Sequence, residues 1–205
     1  MRYLLLSSCV LLFAGCASVY KNLRPAAGNI SNIERFRPDF ANALYKAEID
    51  VVGRHLSGLL LIKTLPDSST RVVFSNEVGF KFFDFGFKPD GEFNVYYIIN
   101  QMDKKPVIKT LRKDFELVML RNNDTAHAYL RKNDSSMYYI FPKPKGTYCY
   151  ITNLDGTELT TMEICSPHKP IVQAIMKNNA NGIPDTIGIT HKNFSFTIAL
   201  KKIVR

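Results

Sequence analysis

Apolar and polar residues alternate along most of the chain beyond residue 43. Between residues 44 and 52, Tyr45, Ala47, Ile49 and Val51 alternate with polar side chains, and this period of two predicts a strand with one buried face. Further short runs, separated by turn-forming residues, are also predicted to be strands. The other predicted strands are 56–62, 71–75, 80–87, 93–99, 126–132, 137–141, 147–152, 159–165, 171–177, 186–191 and 194–203. The pattern therefore favours a large, mostly antiparallel sheet.

Three of these strands contain consecutive apolar residues instead of alternating ones, at 59–62, 95–99 and 137–141. An antiparallel sheet with one face in water does not need such runs. Either the sheet is covered on both faces, or it curls around a cavity lined by apolar and aromatic side chains. The sequence leaves both alternatives open.

One segment changes to a helical period. Ile108, Leu111, Phe115 and Val118 recur at helical spacing, with Asp103 as the predicted N-cap. The other faces of this helix are mostly basic, with Lys104, Lys105, Lys109, Arg112, Lys113 and Glu116. We expect one amphipathic helix that packs on the sheet and turns its basic side outward.

The amino-acid composition shows a net positive charge but does not point to a particular function. The 205 residues are 46% hydrophobic and 22% charged, which is typical of a globular domain. The net charge of +9 favours anionic partners such as lipid headgroups or nucleic acid without choosing among them. No internal repeat or second-domain boundary is visible, so residues 30–205 are predicted to form a single domain of the α+β class that is predominantly β.

The first sixteen residues have the pattern of an export signal. Arg2 precedes an apolar stretch over 3–13, and the small pair Ala14-Gly15 leads to Cys16. The run 12–16 resembles a bacterial lipobox, in which the cysteine is acylated and becomes the mature N-terminus. A cut before Cys9 would leave too short an apolar stretch. An ordinary secretory signal, with Cys16 merely beside the cut, is the other alternative.

The lipobox reading divides the chain into a signal peptide over 1–15, an acylated Cys16 with a flexible tether over 16–29, and the domain over 30–205. Ala17 is not the Asp that resembles an inner-membrane retention signal. The resemblance therefore implies a lipid-anchored protein on the periplasmic face of the outer membrane.

The stretch 44–87 resembles the outer-membrane lipoprotein receptor LolB and its periplasmic carrier relative LolA. Within it, 71–79 has the family pattern of a strand that ends in Asn, followed by an apolar residue and then Gly. The segment 183–189 and the strand 194–203 are similar to the closing Pro-initiated hairpin of that family. Tryptophans familiar in the receptor are missing from this chain.

The resemblance implies a curved antiparallel half-barrel of about eleven strands with a helical lid. Its apolar concavity would hold acyl chains. The residue that enters the membrane in the receptor corresponds to Val78, which lies between Glu77 and Gly79. Parity of the strands suggests eight cavity residues and leaves open which face of the sheet points inward. They are Leu59, Leu61, Phe74, Phe83, Phe85, Tyr97, Ile99 and Phe115.

The function that follows is an anchored lipoprotein that accepts lipoproteins or lipids and passes them to the membrane. Its expected partners are membrane lipid, acylated cargo and a periplasmic LolA-like carrier. The alternative is an accessory lipoprotein with a filled core that docks to an envelope complex. The export signal argues against nucleic acid as the partner of the basic helix.

Enzyme and metal patterns are missing from the sequence. His55, His127, His168 and His191 have no second ligand at metal-binding spacing, and there is no nucleophile elbow, phosphate loop or carboxylate pair. We therefore expect no catalytic residues, metal or cofactor.

A disulfide between Cys149 and Cys165 is a further possibility in an oxidising compartment. A two-residue turn at Asp155-Gly156 would place Cys149 opposite Met162, leaving the cysteines roughly 10 Å apart. That distance is beyond disulfide reach, so a bond requires a longer loop.

Overall fold

A computed structural model describes residues 18–51, 53–121, 124–144, 146–178 and 182–203. The predicted signal peptide and Cys16 lie outside the described residues. The strands are β1 (Arg24–Pro25), β2 (Ala43–Val51), β3 (Arg54–Thr64), β4 (Thr70–Ser75), β5 (Lys81–Phe87), β6 (Phe93–Ile98), β7 (Tyr129–Lys132), β8 (Ser136–Phe141), β9 (Thr147–Asn153), β10 (Leu159–Cys165), β11 (Pro170–Asn178), β12 (Pro184–His191) and β13 (Phe196–Lys202). One α-helix, α1 (Lys105–Val118), and 3-10 helices over Ile30–Phe36 and Thr125–His127 complete the described elements.

All thirteen strands form one open, curved antiparallel sheet in the order β1-β7-β8-β9-β10-β11-β12-β13-β2-β3-β4-β5-β6. It consists of two consecutive meanders, β2–β6 and β7–β13, joined where β13 pairs with β2. Helix α1 connects β6, at one edge, to β7, which neighbours the two-residue strand at the other edge. The predicted class, a mostly β half-barrel with a helix, is confirmed, with thirteen strands in place of about eleven.

Alternation sets the face of each strand. In β2, Tyr45, Ala47 and Ile49 are buried while Lys46 and Glu48 are exposed, as predicted. The inward residues of both meanders meet in one hydrophobic core on the concave side of the sheet. Burial of apolar side chains is the main stabilising contribution to such a fold.

Helix α1 packs into that core. Leu111, Phe115 and Val118 are buried as the helical period predicts. The N-cap is Lys104, which makes no side-chain capping hydrogen bond, so the prediction of Asp103 as N-cap is wrong. Pro106 fits the first turn, where its missing N–H needs no partner, and the helix starts just before it.

The segment 18–29, predicted to be a flexible tether, is partly docked on the sheet. The Val19 N–H donates to the His168 carbonyl at 2.9 Å, and Arg24 and Pro25 pair with Lys132 and Arg131 as the short strand β1. This strand is the one that the sequence pattern missed, because two residues are too few to show a period.

The β9–β10 connection is longer than a two-residue turn. The Asn153 N–H donates to the Glu158 carbonyl at 3.1 Å, and the register shifts between Leu159 and Thr161. Cys149 consequently pairs with Glu163 and not with Met162, which corrects the predicted register. Side chains of the loop itself hold this geometry, since Asn153 Oδ1 accepts from the Glu158 N–H at 2.9 Å.

Candidate ligand-binding cleft

A cleft of about 650 Å³ opens between the concave face of β2 and β3 and the start of α1. This volume lies within the range of roughly 300–1,000 Å³ that is typical of small-molecule sites. The cleft is lined by Ile49, Val51, Arg54, Leu56, Phe80, Phe82, Ile99, Gln101, Met102, Lys104, Val107, Leu111 and Phe196. Its wall is therefore almost entirely apolar.

Burial divides the lining into a floor and a rim. Ile49, Leu111 and Phe196 are buried and form part of the core, whereas residues nearer the opening, such as Leu56 and Val107, are only partly buried. The charged residues among those that line the cleft are Arg54 and Lys104, and both are exposed. An apolar interior with a cationic rim suits a ligand that has a hydrocarbon part and an anionic head.

The β4–β5 loop stands at the same opening. Asn76 closes it, because its Oδ1 accepts from the Phe80 N–H at 2.7 Å and its own N–H donates to the Phe80 carbonyl at 2.9 Å. Gly79 adopts a φ of +91°, a conformation that favours glycine. This tight turn leaves Val78 89% exposed and Phe80 53% exposed. Two apolar side chains therefore project into solvent beside the cleft.

Gly58 allows β3 and β4 to approach closely below this loop. It faces the interior from β3, and a Cβ atom placed on it would lie 2.1 Å from the Ser75 carbonyl oxygen. A larger residue here would force the end of β4, and with it the loop that starts at Asn76, to shift.

Aromatic rings form a continuous path from the loop into the core. Phe80 meets Phe82 edge-on at 5.6 Å between ring centroids, and Phe82 stacks on Phe74 at 4.8 Å. Phe83 then stacks on Phe85 at 4.6 Å and touches Phe115 of the helix at 6.0 Å. The exposed end of this path lies at the cleft and the other end is fully packed.

The strand register puts the N-terminal segment at the same end of the sheet as the cleft. The antiparallel pairs Val51 with Arg54 and Ser75 with Lys81 mark this end in the first meander, and Cys165 with Pro170 marks it in the second. We call it the cleft end. His168, which holds Val19, lies in the turn between β10 and β11 at this end. Ser18 and Val19, where the described part of the chain begins, therefore lie at this end of the sheet.

A carboxylate buried on the convex face supports β4 and β5 near the loop. Asp84 Oδ2 accepts from Arg71 Nη2 at 3.0 Å and from Lys81 Nζ at 2.8 Å. Burial acts to raise the pKa of Asp84, but the hydrogen bonds from these two cations outweigh it and lower the pKa. The guanidinium of Arg71 also stacks on the Tyr96 ring at 3.8 Å. Asp84 is therefore ionised and fixed at neutral pH.

A second buried polar pair attaches the helix to the sheet. His191 Nε2 of β12 lies 3.0 Å from Asp114 Oδ2 of α1, and both side chains are almost fully buried. Burial raises the pKa of Asp114, against the lowering effect of His191. This contact ties the part of α1 behind the cleft to a fixed position.

The structure brings only some of the predicted cavity residues to the cleft. Ile99 lines it. Phe74, Phe83, Phe85 and Phe115 lie below it as fully buried core residues. Leu59, Leu61 and Tyr97 were assigned to the concave side but lie on the convex face, and Leu60 and Ile62 point inward instead. The inward face of β3 was assigned wrongly because its residues 59–62 are apolar on both sides.

The sequence also missed several residues of the cleft. Leu56 shares parity with the inward Leu60, a signal that would have found it once the face was known. Gln101, Met102 and Lys104 belong to an irregular segment without a period and carried no signal. Within the described ranges, no group of three His, Cys, Asp or Glu residues could hold a metal ion, and no helix is long and apolar enough to cross a bilayer.

No protein-family model matches the chain, and no curated protein matches it. Its fold is similar to that of a LolA superfamily protein from Nitrosomonas europaea, at 10% identity and a TM-score of 0.49, with 85% of this chain and 90% of that one covered. A putative outer membrane lipoprotein-sorting protein domain from Vibrio parahaemolyticus matches at 9% identity and 0.47, over 85% and 90% of the two chains. A DUF1329 family protein from Desulfovibrio piger matches at 8% identity and 0.43, over 85% and 89%.

The likeness to these structures concerns the general arrangement of sheet and helix.

Proposed function

We propose that the protein binds the acyl chains of lipids or lipoproteins in the cleft and passes them to an adjacent membrane. The observation that carries the proposal is the apolar cleft of about 650 Å³ beside two exposed apolar side chains, Val78 and Phe80. Each acyl methylene that moves from water into such a wall contributes about 0.8 kcal/mol. A chain of ordinary length would bind well without any specific polar contact.

The position of the loop supports the delivery step. Val78 and Phe80 gain by leaving water for lipid, and their entry would bring the mouth of the cleft to the membrane surface. Arg54 and Lys104 at the rim would then face anionic headgroups. A bound acyl chain could leave the cleft without crossing open water.

The predicted anchor fits the same orientation. If Cys16 is acylated, its chains hold the N-terminus in the outer membrane, and the segment from residue 18 leaves the body at the cleft end. Anchor, loop and cleft would then face one leaflet. We accordingly place the protein on the periplasmic side of the outer membrane, where a LolA-like carrier could supply the cargo.

Lipid binding by a soluble form that begins at Ala17 tests the proposal. We expect native mass spectrometry to detect co-purified lipid, and a fluorescent fatty acid to bind and be displaced by palmitate. Leu56→Glu places a charge in the cleft and should weaken this binding about tenfold or more, equal to about 1.4 kcal/mol.

Leu59→Glu is the matched control, because Leu59 is the same residue type on the same strand, is similarly half-buried, and lies on the convex face. We expect this variant to bind the probe within about twofold of the unmodified protein, a difference below about 0.5 kcal/mol. Equal loss in both variants, or no binding in any form, would remove the cleft from the function.

Edge strand β6 favours a second candidate, an accessory lipoprotein that docks to an envelope complex. It carries Val95, Tyr96 and Tyr97, which are 40%, 55% and 43% exposed at the free edge of the sheet. Apolar groups on an unpaired edge strand are typical of a surface that adds a partner strand. A lipid-free protein that co-purifies with a stable complex, and loses it on Tyr97→Asp, would favour this candidate.

A further inference from the structure

A small hydrophobic cluster lies on the convex face, separate from the main core. It consists of Ile140, Cys149 and Cys165, with Tyr20 and Tyr138 packed against it, and we call it the outer cluster. The two cysteines are 3% and 4% exposed, and their sulfur atoms lie 2.6 Å apart. The acyl-binding function gives these thiols no role.

The strand register explains why the two sulfurs meet. Cys149 of β9 pairs with Glu163 of β10, so Cys165 is two residues further along and projects from the same face. The longer β9–β10 loop and its register shift move Cys149 one position closer to Cys165 than a two-residue turn would. A two-residue turn at Asp155-Gly156 would have kept the two cysteines too far apart for a bond. The chain does not adopt that turn.

From this register, the burial of both side chains and their direct contact, we infer that Cys149 and Cys165 form a disulfide bond in the mature protein. A disulfide requires neighbouring Cβ atoms that point at each other, and the direct contact of the two sulfur atoms shows that these side chains do so. The predicted export signal would carry the chain to a compartment where such bonds persist.

The oxidant is a disulfide of low molecular weight or an oxidised dithiol protein. The Cys149 thiolate attacks one sulfur of that disulfide and releases the first thiol, and Cys165 then attacks the Cys149 sulfur of the mixed disulfide and releases the second. One disulfide is consumed and one is formed. The two protons lost by the cysteines are carried by the two released thiols.

The bond forms before the site closes. In the folded chain, the hydrogen bond between the thiols and their burial raise the pKa of Cys149, so the reactive thiolate is scarce. The N-terminal segment also covers the site, since Tyr20 Oη donates to Glu163 Oε2 at 2.7 Å. Once formed, the bond is shielded in the same way and staples the hairpin on which the predicted tether rests.

Peptide mapping tests the inference, with full-length protein that has been expressed in an oxidising compartment. The protein is denatured in an alkylating agent without reductant and cut after Glu158 and Glu163, which lie between the two cysteines. We expect peptides with Cys149 and Cys165 to appear cross-linked, two hydrogens lighter than their sum, and to separate after reduction. The mapping excludes interference from Cys9 and Cys16, which lie in other peptides.

Two further results decide the outcome. Dithiothreitol should leave the bond intact in the folded protein for at least tenfold longer than in urea. In Cys149→Ala, Cys165 should be alkylated without reductant, which proves that the labelling reaches it. If both cysteines of the unmodified chain are alkylated without reductant, even after refolding with oxidised glutathione, the inference is wrong. None of these readouts depends on lipid binding.

Discussion

The two meanders of the sheet use their convex faces differently. In β7–β13, residues 18–23 lie against the sheet, and the outer cluster fills the space beneath them. In β2–β6, Tyr96 and Tyr97 on β6 stay about half exposed. The meander with a covered convex face is held by the N-terminal segment, and the one with an open convex face carries the cleft on its other side.

Each meander buries a carboxylate on its convex face, and the partners differ in the same way. Asp84 is held by the two cations Arg71 and Lys81. Glu163 accepts from the neutral donors Tyr20 and Gln173, at 2.7 Å each. A buried carboxylate needs compensating donors, and whether these are charged depends on how much solvent remains nearby to hydrate the cations. The buried carboxylate of β2–β6 is thus stabilised by ion pairs. The buried carboxylate of β7–β13 is stabilised by neutral hydrogen-bond donors, one of which belongs to the N-terminal segment that covers it.

The largest expected effect tests whether the interior beneath the cleft is a packed core. Phe83→Ala removes a ring that is fully buried and in contact with Phe85 and Phe115. We expect the free energy of unfolding to fall by about 3–5 kcal/mol, because the cavity left behind cannot collapse completely. Urea denaturation followed by circular dichroism measures this.

Phe80→Ala is the control for that variant, since Phe80 is the exposed end of the same aromatic path. It should cost less than about 1 kcal/mol. Equal losses would mean that the rings below the cleft are no better packed than the ring at its mouth, and the distinction between floor and rim would fail.

The second prediction concerns β7–β13, the meander whose convex face is covered by the N-terminal segment. Replacing both cysteines, as Cys149→Ala with Cys165→Ala, should destabilise the oxidised protein by about 3 kcal/mol, since the residues are 16 apart and the cross-link limits the unfolded chain. In reductant that has acted on the denatured protein, the unmodified chain should lose the same amount and the variant none. If the double variant is as stable as the oxidised protein, a disulfide between Cys149 and Cys165 does not stabilise the fold.

The apolar runs show how far sequence could predict this asymmetry. Strands at 95–99 and 137–141 look alike, yet Tyr138 and Ile140 are covered by residues near Tyr20, whereas Tyr96 and Tyr97 stay about half exposed. Alternation located the strands and the inward face of β2 because it depends on neighbours in sequence. Which convex face is covered depends on a segment more than a hundred residues away, as in the contact of Tyr20 with Glu163.

The third prediction compares the two carboxylates. Asp84→Asn should lower the free energy of unfolding by about 1–2 kcal/mol at pH 7, because Arg71 and Lys81 lose their charged acceptor. Glu163→Gln should cost about 1 kcal/mol or less, since an amide oxygen still accepts from Tyr20. Chemical denaturation at several pH values measures both.

The pH dependence follows from the lowered pKa of Asp84. A carboxyl whose pKa is lower in the folded than in the unfolded state stabilises the fold above the unfolded pKa, about 3.9, and this contribution is lost as the pH falls through the folded pKa. The cost of Asp84→Asn should therefore shrink below about pH 4. A cost that stays constant down to pH 2 would show that the charge of Asp84 is not what holds Arg71 and Lys81.

The smallest effect on stability is expected at the tip of the β4–β5 loop. Val78 is 89% exposed, so Val78→Asp should change the free energy of unfolding by less than about 0.5 kcal/mol. Its effect should appear only at a membrane. In the soluble form that begins at Ala17, we expect about tenfold weaker flotation with phosphatidylglycerol vesicles, since a fully buried valine contributes about 1.5–3 kcal/mol. Ile175→Asp, on the exposed side of β11, should leave flotation unchanged. If both variants float as well as the unmodified protein, the β4–β5 loop is not the part of the protein that contacts the membrane.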